Sequence, residues 1–113
     1  MALANDEDVC IDSTMSGMYT CAEKKFHDSK SVFDEKYSQL INLVKENEEH
    51  KDSISKSNES WMKQIEGDCK NYAYFVEEGT ITFDTWEKEC LSVMYKDRVN
   101  HIDALIEMAQ SFM

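Results

Sequence analysis

The chain has 113 residues, enough for one domain with a modest core that covalent staples would strengthen. Its 23 acidic and 12 basic residues give a net charge of −11, which argues against nucleic acid and anionic membranes as partners. The absence of proline and the presence of only three glycines exclude a turn-rich β architecture, so helices are expected throughout.

At the N-terminus, Ala2-Leu3-Ala4 has the small-x-small form of a signal-peptidase site. Residues 1–9 are expected to be a disordered remnant of export or expression, followed by a single helical domain over 10–110. No apolar run approaches the ~18 residues of a transmembrane span.

The first helix is expected over about Met15 to Asn47, with Thr14 as its N-cap. Phe26, Phe33, Tyr37, Leu40 and Val44 recur at steps of three and four and form one apolar seam. Residues 46–51 carry no apolar side chain and read as an exposed connection. The second helix is expected from about Asp52 to Tyr74, capped by Asp52 or Ser53. Ile54, Trp61, Ile65, Cys69 and Tyr72 form its seam, with Asn58 filling the gap. Gly67 weakens its interior by about 1 kcal/mol relative to alanine. Gly79 marks the next break. The third helix is expected to start near Asp84, with Glu87 completing a capping box. Leu91, Met94, Arg98, Ile102, Leu105 and Ala109 line one of its faces. These spacings predict an all-α fold, an antiparallel three-helix bundle.

Cys10, Cys21, Cys69 and Cys90 show no Cys-x-x-Cys pair, and His27, His50 and His101 are scattered, so neither a metal site nor a redox centre is expected. Two disulfides in an oxidising compartment are the better reading. The bundle brings Cys21, Cys69 and Cys90 to one end, with Cys10 just ahead. Three pairings are open. Cys21 sits roughly 130° from its helix's seam on a helical wheel, which leans toward Cys10–Cys21 with Cys69–Cys90.

Catalysis needs a positioned constellation, and none is legible. No serine lies in a nucleophile motif, and there is no His-Glu-x-x-His, phosphate-cradling Gly-rich loop or EF-hand. The chain is therefore expected not to be an enzyme and to need no cofactor. Trp61 and Tyr37 on the seams are expected to be structural. Arg98 falls on an apolar face, where a carboxylate partner is expected. Glu77, Glu78, Asp84 and Trp86 are the candidate partner-binding residues, weighed against a solvated loop and a core tryptophan. Tyr72, Tyr74 and Phe75 either pack beneath that connection or bound a shallow recognition patch.

Three cysteine segments carry a family resemblance. Met18-Tyr19-Thr20-Cys21-Ala22 followed by Tyr37-Ser38-Gln39-Leu40, then Asn58-Glu59-Ser60-Trp61 running to Asp68-Cys69, resemble the LprI-type lysozyme inhibitor domain. Gly79-Thr80-Ile81, Glu89-Cys90-Leu91 and Asp97-Arg98 resemble its third segment. The similarity spans about Cys10 to Ile106. The chain departs from the family at Gly17, usually acidic, and at Asn58, usually Gln. It departs again at Ile65-Glu66, often Arg-Asp, and at Tyr95, usually Thr. The resemblance implies a helical, disulfide-bonded protein of the bacterial periplasm, envelope or secreted fraction, some of whose relatives inhibit lysozyme. The partner expected is a cationic protein, lysozyme or another cell-wall hydrolase, met by an acidic surface. The alternative is an envelope adaptor, structural or immunity protein without effect on lysozyme.

Overall fold

The computed structural model describes residues 14–112, which form three helices: α1 (Met15–Val44), α2 (Glu48–Tyr72) and α3 (Ile81–Ser111). No strand occurs among the described residues.

Each helix begins on a side-chain cap. Thr14 Oγ1 accepts the Gly17 N–H at 3.0 Å, as expected from the sequence. The other two caps correct the sequence expectation. Asn47 Oδ1 accepts the His50 N–H at 3.1 Å, so residues 48–51 are helix rather than connection. Glu48 and Glu49 then occupy the first turn, where the positive end of the helix dipole favours carboxylates. At α3 the cap is Thr80, whose Oγ1 accepts the Phe83 N–H at 3.2 Å, and not Asp84 with Glu87. Thr80 Oγ1 also donates to the Glu77 carbonyl at 2.6 Å. Just before it, Gly79 takes φ 90°, which side chains with a Cβ rarely adopt.

The third helix touches both of the others. Along α1, Phe26 meets Tyr95, Ser29 Oγ lies 3.2 Å from Ser92 Oγ, and Lys36 Nζ lies 3.0 Å from Asp103 Oδ1. From the serine pair to the ion pair the position rises along both helices, from Ser29 to Lys36 and from Ser92 to Asp103, so α1 and α3 run the same way. Along α2, Cys69 bonds to Cys90, Trp61 packs on Tyr95, and Ile54 and Ile102 line one cavity. Here one position falls as the other rises, so α2 runs opposite to α3.

The core holds Phe33, Leu40, Val44, Ile54, Ile65, Tyr95, Ile102 and Ile106. At its centre are four rings: Phe33 and Trp61 lie 5.3 Å apart, and Tyr95 is 5.2 Å from each. Phe26 closes the group 5.9 Å from Tyr95. Edge-to-face pairs of this kind add about 0.5–1.5 kcal/mol each beyond their buried area.

The buried stripe of α3 is Ser92, Tyr95, Ile102 and Ile106, about one residue round the helix from the seam read in the sequence. The cause is double contact. One flank faces α1 through Ser92 and Asp103, and the other faces α2 through Arg98 and Ile102. A single-stripe reading cannot separate two such flanks. Tyr72, placed on the α2 seam by spacing, is more than half exposed at the helix end.

Candidate functional site

The Cys69–Cys90 disulfide ties the last turn of α2 to the third turn of α3, with an S–S distance of 2.11 Å and Cα atoms 5.4 Å apart. It is the one disulfide pair seen among the described residues. Cys21 is buried and is not a free thiol. Cys10, and with it the expected second bridge, lies outside the described residues.

Residues 73–80 link α2 to α3 beside this staple. Ala73 is fully buried and anchors the turn. The residues after it turn outward: Tyr74 is 71% exposed and Phe75 is 94% exposed, with their rings packed edge to face at 5.2 Å. Glu77 and Glu78 follow and are also exposed. Tyr74, Phe75, Glu77 and Glu78 border one shallow depression. Tyr72 and Phe75 therefore do not pack beneath the connection. Trp86 is 38% exposed on the first turns of α3, its ring 6.4 Å from that of Tyr72.

Asp84 stands apart from the two glutamates. Its charge helps raise the Tyr19 hydroxyl pKa, after the larger effect of the hydrogen bond that Tyr19 donates to Glu23 at 2.9 Å. The structure thus groups Glu77 and Glu78 with two exposed rings around one depression that Asp84 does not line.

Tyr37 and Trp61 are half-buried and pack against the core. Arg98 departs from expectation. Its guanidinium lies over the Trp61 ring at 5.0 Å, and no carboxylate pairs with it among the described residues. Its Nε is buried without a hydrogen-bond acceptor. Desolvation lowers its pKa from the ordinary arginine value, with Tyr37 opposing the shift. The aromatic face supplies part of what a carboxylate would otherwise supply.

Arg98 also lines an open cavity of about 200 Å³ between α2 and α3, at the end away from the disulfide. His50, Ser57 and Asn58 from α2, His101 from α3 and Tyr37 from α1 share its wall. The sequence reading missed this grouping. Its signal was weak: Arg98 and His101 are three apart, and His50, Ser53 and Ser57 recur at helical spacing. Among the described residues, no group of three or more His, Cys, Asp or Glu is placed to hold a metal ion. No described helix is long and apolar enough to cross a membrane.

The sequence model of the family described as lysozyme inhibitor LprI matches residues 10–101. The chain belongs to the LprI lysozyme inhibitor family. No curated protein and no solved structure matches it. The LprI match covers the disulfide, the exposed turn and Arg98, and it ends at His101, before the cavity residues Ile102 and Leu105.

Proposed function

We propose that this LprI-family chain is an exported binding protein, not an enzyme, that occludes a cationic peptidoglycan hydrolase of the lysozyme class. The observation that carries the reading is the 73–80 turn, where Phe75 stands 94% exposed beside Tyr74, Glu77 and Glu78. Exposed aromatics next to charges supply the anchors and the steering that protein interfaces use. A net charge of −11 favours encounter with a basic partner. The disulfide holds both ends of the turn's helices and lowers the entropy lost on binding.

In this reading the three helices form an antiparallel bundle over residues 10–110, and a second bridge joins Cys10 to Cys21. The protein works in the bacterial envelope. The burial of Cys21 and its lack of a free thiol support the second bridge. Trp86 and Tyr72 extend the contact surface.

The test is lysis of bacterial cell walls by lysozymes of several types, with the oxidised chain present at low and high salt. Inhibition should weaken as salt rises, since exposed charge contacts are screened over about 10 Å at 0.1 M. Phe75→Ala should weaken inhibition at least ~10-fold, as an anchor residue does, and Glu77→Lys with Glu78→Lys should lower the association rate. Failure to inhibit any lysozyme type would overturn this reading in favour of an adaptor or immunity role.

A further inference from the structure

We propose that the cavity between α2 and α3 is a binding site for a carboxylate, held by Arg98. It lies away from the 73–80 turn and is independent of lysozyme inhibition.

Four observations converge on it. In a strongly acidic chain, no Asp or Glu among the described residues lines this cavity, while Arg98, His50 and His101 do. The sequence around it is not short of acids: Glu49, Asp52, Asp97 and Asp103 all stand within three residues of a lining residue, yet none of them lines it. Arg98 is half-buried and has no carboxylate to neutralise it among the described residues. A half-buried cation without an anion is costly unless something supplies one. Finally, the guanidinium lies over the Trp61 ring at 5.0 Å and its buried Nε has no acceptor among the described residues, which leaves that N–H edge open for hydrogen bonds. A carboxylate meets that edge with two parallel bonds.

The remaining wall suits the same group. Tyr37, Ser53 and Ser57 bring hydroxyl donors, and Ile54, Ile102 and Leu105 bring an apolar floor for a short carbon chain. A cavity of about 200 Å³ has room for roughly six waters at ~30 Å³ each, enough for a carboxylate and a few carbons. The ligand is therefore a small carboxylate, either a free organic acid or the C-terminal carboxylate of a peptide.

The experiment titrates the full, oxidised, isotope-labelled chain with propionate and, separately, with N-acetylalanine at constant ionic strength. The Arg98 Nε–H and Trp61 indole N–H resonances are followed. Saturable shifts confined to the cavity are expected, with a Kd of about 1 mM. Tighter binding of N-acetylalanine assigns a peptide terminus, and tighter binding of propionate assigns a free acid. Arg98→Lys, which keeps the charge and loses the fork, should weaken binding about 10-fold. Ser57→Leu, at an exposed lining position, should block it while leaving the helical circular dichroism unchanged, so the test does not depend on Arg98 variants folding. Absence of saturable shifts with both acids would overturn the proposal. Equal binding of propionate and inorganic phosphate would also overturn it, because the site would then read charge alone.

Discussion

The two ends of α2 are held by different chemistry. At its C-terminal end a covalent bond joins Cys69 to Cys90, and the adjoining turn leaves Tyr74 and Phe75 in solvent. At its N-terminal end there is no staple among the described residues. Ile54 packs on the core, and Arg98 lies over Trp61 beside an open cavity. The comparison teaches where surface can be given over to binding. A turn anchored by a disulfide and by buried Ala73 can expose large rings without loosening the fold. At the end held by noncovalent packing, His50, Ser53 and Ser57 are the exposed residues of α2 beside the cavity.

The largest expected effect comes from the rings between the two ends. Phe33→Ala removes a side chain that touches Tyr37, Trp61 and Tyr95 and should lower stability by about 3–5 kcal/mol in a urea titration. Loss at both ends of α2 together, seen by hydrogen exchange, is the expected pattern. Loss at one end alone would show that the ends are uncoupled.

The paired substitution Cys69→Ala and Cys90→Ala opens a loop of 21 residues and should cost about 3 kcal/mol. Amide exchange should rise in the last turns of α2 and in residues 73–80 more than near Ile54. A uniform rise along α2 would remove the distinction between the ends. A smaller change of opposite sign is expected at Gly67. A Cβ there meets nothing within 4 Å, and the residue is exposed within α2, so Gly67→Ala should stabilise by up to about 1 kcal/mol. An unchanged melting curve would show that α2 frays around this position.

The smallest effect is a pH dependence at the open end. Burial first, and the nearby Arg98 charge second, lower the His101 pKa from its ordinary 6.5. The unfolded chain therefore binds this proton before the folded chain does. His101 should take a little stability away as pH falls below about 6.5, and nothing above it. In an NMR titration, Arg98→Gln should move the His101 midpoint upward. An unmoved midpoint would leave burial as the sole cause of the shift.

Much of the helical plan was legible because apolar spacing reports which face of a helix is buried. Phe33, Leu40 and Val44 on α1, and Ile54, Ile65 and Cys69 on α2, are buried where their spacing placed them. The starts of α2 and α3 were misplaced because Asn47 and Thr80 cap through single hydrogen bonds that a polar run does not advertise. The α3 stripe was misread by about one residue because two neighbours share the helix.

The sequence by itself determined that this chain is helical, strongly acidic and similar to the LprI family, since periodicity, charge and motif are local properties of the chain. It also supplied the cysteines and the exposed-turn residues. Only the tertiary structure decided that Cys69 meets Cys90, that Asp84 parts from Glu77 and Glu78, and that Arg98 rests on Trp61 instead of a carboxylate. Those outcomes depend on distances between residues remote in sequence, and helix packing sets such distances through the shapes of all the side chains at once.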